Sequence, residues 1–183
     1  MIEVRVHGRG GQGGVTSAEM LAIAAINEGK FAQAFPSFGP ERRGAPVIAF
    51  ARVSEQRIRN RTKVYSPDIV LVLDPSVLSI VNVTEGLKED GMLVINSAKS
   101  IAELRREYGF KTDLARVDAT HIALEELGLP ITNTTMLGAA VKSRPVVAVD
   151  SLVGPLEHRF GRIAEKNIRA LRRAYRETEI DLV

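Results

Sequence analysis

The chain has 183 residues, 45% of them hydrophobic, and a formal net charge of +3 at pH 7. That length buries one sizeable core and fits a single domain. The absence of cysteine excludes a disulfide framework, a thiolate metal site, a cysteine nucleophile and cysteine ligation of an iron–sulfur cluster by this chain.

No run approaches the ~20 apolar residues of a membrane span, and the sequence opens on a strand pattern without a basic leader. A cytoplasmic protein with no membrane partner is expected. His7, His121 and His158 lack metal-ligand spacing, so no metal site is expected either.

Ile2, Val4 and Val6 alternate as a strand. Val15, Ala18, Leu21, Ala22, Ala25 and Ile26 recur at three-and-four spacing and predict a helix over Val15 to Asn27. Between the two periods lie Gly8, Arg9, Gly10, Gly11, Gln12, Gly13 and Gly14. A bare backbone turns tightly, and its N–H groups, together with the positive end of the following helix, suit a phosphate or carboxylate. Thr16 and Ser17 are placed to cap that helix or to bond the anion.

The string Gly8-x-Gly10-x-x-Gly13 matches the dinucleotide fingerprint, whereas Gly14 and Val15 stand where a Walker loop needs Lys and Ser or Thr. The acid that would hold a ribose about 20 residues on is missing. The second strand, Phe31 to Phe35, runs into Pro36-Ser37-Phe38-Gly39, and Glu28 comes too early. NAD is thereby disfavoured, and close packing of helix on strand is the alternative use of the glycines.

Phe35 to Pro46 (F-P-S-F-G-P-E-R-R-G-A-P) is a long loop whose Arg42 and Arg43 can fork onto phosphate or carboxylate, or pair with Glu41. Val47 to Val53 is the next strand, and Arg57 to Arg61 read as an exposed ribbon. Arg52 to Arg61 and Arg159 to Arg176 form further basic clusters able to meet acids or phosphates; a solvated face balanced by neighbouring Glu is the alternative for each, and it is the reading taken for the C-terminal cluster. No recognised motif or aromatic-interleaved stripe accompanies the charge, so nucleic acid is not an expected partner.

Asp68 to Asp74 is a continuous apolar run, the mark of a strand covered on both faces. A helix over Pro75 to Val81 and a strand over Met92 to Asn96 follow. Asp74 and Asn96 fall at C-terminal strand ends, where open α/β sheets bind ligands, although capping suffices for Asp74. Then come a helix over Ser100 to Tyr108, a strand over Leu114 to Asp118, and a helix over Thr120 to Leu127. Thr132-Asn133-Thr134-Thr135 opens a small-residue helix, Met136 to Lys142, that admits another backbone from the sheet or from another subunit. Asp150 caps a helix to Phe160, and Arg162 to Arg176 is amphipathic with Ile163, Ile168, Leu171 and Tyr175 inward. The pattern is α/β in a single domain, mostly parallel with helices on both faces, and one antiparallel excursion is possible around residues 47 to 64.

Four stretches together resemble the gamma subunits of 2-oxoacid:ferredoxin oxidoreductases, with pyruvate synthase nearest in look. They are Gly8 to Gly13 with its helix, Phe35 to Pro46, Asp74-Pro75, and Thr132 to Ala140 (T-N-T-T-M-L-G-A-A). The start of the first helix, Gly14-Val15-Thr16-Ser17, departs from the alanine-rich start expected there. The resemblance implies one component of a complex that oxidatively decarboxylates a 2-oxoacid on thiamine diphosphate with Mg2+, reduces ferredoxin through iron–sulfur clusters, and passes the acyl group to coenzyme A. It implies alpha, beta and delta-type partner subunits, and that this chain holds no cofactor and is silent alone. Gly8, Arg9, Gly10, Gly11, Gln12 and Gly13, with Arg42 and Arg43, are then expected to meet coenzyme A phosphates or a neighbouring subunit. A free-standing dinucleotide-binding module and a purely structural subunit are the rival readings.

Overall fold

The computed structural model describes residues 1–37 and 44–183. Its strands are β1 (Ile2–Arg9), β2 (Phe31–Pro36), β3 (Pro46–Ser54), β4 (Ile69–Val72), β5 (Met92–Asn96), β6 (Asp113–Val117) and β7 (Glu179–Asp181). The helices are α1 (Gly14–Asn27), α2 (Ile101–Tyr108), α3 (Ala119–Leu127), α4 (Asn133–Ser143), α5 (Val153–Phe160) and α6 (Ala164–Glu177). The strands form one sheet in the order β2-β3-β1-β4-β5-β6-β7. β3 and β7 run against the other strands. The expected α/β architecture, with helices on both faces, is what the chain adopts.

The two faces are covered unequally. On the first, Val4, Val6, Leu71, Val94 and Val117 pack with Leu21 of α1, Met136 and Leu137 of α4, and Leu171 of α6. On the second, Val70, Val72, Leu93, Ile95 and Leu114 meet Leu104 of α2, with Val77 and Val83 from the segment between β4 and β5. β4 is buried at every residue, as a parallel strand covered on both sides must be.

The antiparallel excursion is β3, which pairs with β1 from Ile2↔Val53 to Arg9↔Pro46 and with β2 on its other side. This long ladder corrects the expected extent of the glycine loop: β1 continues through Gly8 and Arg9, leaving a turn of Gly10 to Gly13. β1 and β2 are parallel to each other and separated by β3. Arg57 to Arg61 form no strand.

Arg52 is fully buried rather than part of a solvated face. Its Nε donates to Glu3 Oε1 at 2.7 Å, Nη2 donates to the Thr62 and Lys63 carbonyls, and the guanidinium lies 5.2 Å from the Phe35 ring centroid.

Other boundaries also differ. The segment after Asp74 is a 3-10 turn, Pro75–Ser79, which ends before Val81. Asp150 lies inside a second 3-10 turn, Val149–Leu152, and its carboxylate takes a bond from Arg172 at 2.9 Å instead of capping α5. Ile163 is 54% exposed. α6 buries Asn167, Ala170, Leu171 and Ala174, because its small residues run against α4. The backbone that approaches α4 belongs to α6: a Cβ on Gly138 would collide with the Leu171 carbonyl.

Candidate functional site

β1 and β4 are hydrogen-bonded neighbours, with His7 opposite Val72. The connection leaving β1 runs through α1 on the first face, and the connections from β4 to β6 run over the second face. A crevice opens at such a switch of side, outside the carboxyl ends of the strands, and it is where open α/β sheets bind ligands. Here its rims are the Gly10 to Gly13 turn and Asp74-Pro75.

The turn is pinned from within. Gln12 Oε1 accepts from Arg9 N at 2.7 Å, and Gln12 Nε2 donates to Asp74 Oδ2 at 2.6 Å. Asp74 Oδ1 accepts from Ser76 N at 2.9 Å, so Asp74 does cap the 3-10 turn, as expected, while also anchoring the glycine turn. Arg9 Nε donates to Ser76 Oγ at 2.8 Å and lies 3.6 Å from Asp74 Oδ2; its Nη1 donates to the Gly44 carbonyl at 2.9 Å. Burial pushes the Asp74 carboxyl up, but bonds from Ser76 and Gln12 and the Arg9 charge outweigh it and hold the group below its ordinary value.

Gly13 is the N-cap of α1 with φ +77°, and a Cβ there would also strike the Asn133 side chain. At this point the starts of α1 and α4 meet. Ser17, fully buried, donates its hydroxyl to the Asn133 carbonyl at 3.1 Å, so it neither caps α1 through its side chain nor faces the crevice.

The backbone donors expected to wrap an anion are partly engaged: Gly10 N donates to Ala45 O at 2.9 Å and Gln12 N to Arg9 O at 3.1 Å. Arg42 and Arg43 lie outside the described residues; the glycine turn is bonded to Gly44 and Ala45, which follow them directly.

The crevice holds about 340 Å³, lined by Gly11, Gln12, Leu73, Asp74, Pro75, Asn96, Thr120, Pro130, Ile131 and Thr132. Asn96 is buried; its Nδ2 donates to the Leu73 carbonyl and to Thr120 Oγ1, both at 2.9 Å, and its Oδ1 accepts from Thr120 N at 3.2 Å. Thr132 Oγ1 donates to the Leu73 carbonyl at 3.2 Å. Sequence reasoning singled out Asp74 and Asn96 only by their places at strand ends, and it missed Thr120 and Thr132 as lining. Nothing in local spacing shows that residues so far apart share one crevice.

Beneath β1 on the second face lies a row of polar side chains. Arg5 donates from Nε to His7 Nε2 at 3.0 Å and from Nη2 to the Val83 and Glu85 carbonyls. Burial, and then the Arg5 charge, push His7 down to about 4, so it is neutral and accepts. Among the described residues no group of three or more His, Cys, Asp or Glu side chains is placed to hold a metal ion.

An α/β sheet with a polar crevice at its switch point is a ligand- or partner-binding architecture shared by many proteins; the comparisons with known proteins narrow it. The family model for pyruvate ferredoxin/flavodoxin oxidoreductase matches residues 3–177. The pyruvate/ketoisovalerate oxidoreductases common subunit gamma of Pyrococcus abyssi is 54% identical over 182 residues, which cover 98% of each chain. Pyruvate synthase subunit PorC of Methanothermobacter thermautotrophicus is 50% identical over 98% of this chain and 97% of its own. Among solved structures, the pyruvate oxidoreductase subunit PORC of Thermotoga maritima is similar with a TM-score of 0.88 at 41% identity, over 98% of both chains.

The chain belongs to the pyruvate ferredoxin/flavodoxin oxidoreductase family. Within it the chain is a gamma-type subunit of an oxidoreductase complex, and the free-standing dinucleotide module is not favoured. No helix among the described residues is long and apolar enough to cross a membrane.

Proposed function

We propose that the chain is the gamma subunit of a complex that oxidatively decarboxylates a 2-oxoacid, pyruvate first among them, to acyl-coenzyme A and CO2 with reduction of ferredoxin. The observation that carries this is the end-to-end correspondence with gamma subunits, 54% identical over 98% of both chains. Thiamine diphosphate with Mg2+ and the iron–sulfur clusters then belong to alpha, beta and delta-type partners. A chain without cysteine does not fit thiolate ligation of a cluster.

The finer role we assign to this chain is a positive rim at a subunit junction. Arg9 and the Gly8 to Gly13 segment supply one side, and Arg42 and Arg43 the other, facing coenzyme A phosphates or acids of a neighbouring subunit. β1 and β2 run in the same direction, so the segments that follow them start from one edge of the sheet. The bonds from Arg9 and Gly10 to Gly44 and Ala45 support the same placement.

Truncating a charged partner in a desolvated junction typically costs about 2 to 5 kcal/mol, against roughly 0 to 1 for an exposed pair. Arg42→Ala and Arg43→Ala, singly and together, are therefore expected to raise the coenzyme A KM of the assembled complex, or to weaken subunit affinity, by about tenfold or more. Values within about twofold of the parent in both measurements would refute the junction role.

A further inference from the structure

β2 is an edge of the sheet: β3 pairs with it on one side, and among the described residues no strand lies on the other. Ser37 N donates to Ile48 O at 2.8 Å, one step beyond the last paired residues, Pro36 and Ala49. Residues bonded to the neighbour and residues turned away from it alternate in an antiparallel ladder. Phe31, Gln33 and Phe35 therefore direct their backbone groups to β3, while Ala32, Ala34 and Pro36 turn theirs outward. The Ala32 and Ala34 N–H groups have no partner among the described residues. Pro36, which has no N–H to give, sits where its lack does not break the ladder.

Edge strands are ordinarily guarded by charged side chains. Phe31-Ala32-Gln33-Ala34-Phe35 carries none, and Phe31 is 46% exposed. Beside the strand the charge is one-sided: Arg57, Arg59, Arg61 and Lys63 are all exposed, and Glu55 is the one acid between Ser54 and Pro67. Arg61 lies against β2, where it lines a depression of about 340 Å³ with Gln33, Ala34 and Phe35. Among the described residues none of these four cations is paired with an acid, whereas Arg169, Arg172 and Arg173 of the C-terminal cluster are all bonded to Glu or Asp. The open edge thus runs alongside uncompensated positive charge.

A second copy of the chain is one occupant for such an edge, because Phe31 to Phe35 reads the same in both directions and would pair with itself about Gln33. That pairing brings Arg61 of both copies to the axis beside Gln33, where like charges repel. The charge selects a different occupant. We infer that β2 takes up an extended acidic segment of another protein chain as an additional antiparallel strand. The backbone of that segment bonds Ala32 and Ala34. Residues directly opposite share a face of the sheet, so those opposite the two alanines continue the half-buried surface against α1 and are apolar. The alternate residues fall on the face of Gln33, Phe35 and Arg61, and are acids. The surface is the outer edge of β2 and not the strand end from which the proposed rim starts. It depends on neither the family role nor Arg42 and Arg43.

The test is titration of the isotope-labelled full chain, at pH 7 and low salt, with three peptides followed by amide resonances and hydrogen exchange. The first alternates valine and glutamate, the second replaces each glutamate by lysine, and the third is the glutamate peptide N-methylated at its valines, which keeps the charge and removes the backbone donors. The glutamate peptide is expected to saturate one site and to slow exchange at Ala32 and Ala34, with the other two at least about tenfold weaker. Arg61→Glu, a change at an exposed position, is expected to weaken the glutamate peptide by about tenfold at an unchanged unfolding midpoint. No saturable binding of the glutamate peptide in the millimolar range overturns the proposal. So do equal affinities for the glutamate and lysine peptides or for the methylated one, and slowed exchange that spares Ala32 and Ala34. A peptide-free chain that sediments as a dimer with Ala32 and Ala34 already protected overturns it in favour of the second copy.

Discussion

Gln12 Nε2 donates to the Asp74 carboxylate at 2.6 Å, joining the glycine turn after β1 to the end of β4 across 62 positions of sequence. The bond is charge-assisted and partly buried, and Gln12 Oε1 closes the turn on Arg9 N at the same time. Gln12→Ala should cost about 1 to 3 kcal/mol of unfolding free energy in urea titrations, because Arg9 N and the carboxylate both lose a partner. Gln12→Glu should cost at least as much at pH 7 and less near pH 4, where one of two facing carboxyls is protonated.

Gly138 should not tolerate a side chain. In Gly138→Ala the added methyl meets the Leu171 carbonyl, which is backbone and does not swing aside. Destabilisation of about 1 to 3 kcal/mol is expected despite the better helix propensity of alanine. A denaturant midpoint equal to the parent's would show that α4 and α6 are not in contact at this position.

The buried ion pair on the second face gives a third expectation. Arg52 and Glu3 have side chains 1% and 14% exposed. Arg52→Met should destabilise by about 3 to 5 kcal/mol, since it leaves Glu3 without its partner. Arg52→Met combined with Glu3→Gln should recover part of that loss, and the double-mutant cycle on urea unfolding reads the coupling.

His7 makes stability depend on pH. Its native value of about 4 lies below the ordinary 6.5, so the unfolded chain binds this proton more readily than the folded one. The stabilisation is complete above about pH 6.5 and is lost as pH falls from there towards 4. The loss attributable to His7 is on the order of 2 to 3 kcal/mol. His7→Gln keeps an acceptor for Arg5 and should show a flatter profile between pH 6.5 and 4; an unchanged slope would mean that the histidine is solvated.

What the sequence shows of this molecule follows from the range of the interactions involved. β1 and α1 are legible because the hydrophobic period changes on either side of the glycines, and β4 because burial on both faces leaves a run with no polar position. The insertion of β3 between β1 and β2 is not legible, since strand order is settled by pairings such as Glu3 with Arg52 that no local window contains. For the same reason Arg52 reads as part of an exposed basic cluster although it is fully buried. β7 escapes notice because its three residues are exposed and carry no apolar pattern. At the crevice the glycine string is local and visible. Asp74 is visible only as a strand end, and its bond to Gln12 and nearness to Thr120 arise from the parallel pairing of β1, β4, β5 and β6.

The central claim is that this chain works as the gamma subunit of a 2-oxoacid oxidoreductase, and the most direct measurement is reconstitution. Partner subunits are purified with and without this chain, and pyruvate- and coenzyme A-dependent reduction of ferredoxin is followed. The chain alone is expected to be silent, the partners alone deficient, and the mixture to recover turnover as the chain is added to stoichiometry. Reduction of ferredoxin by the isolated chain, or full turnover by partners that lack it, would contradict the account.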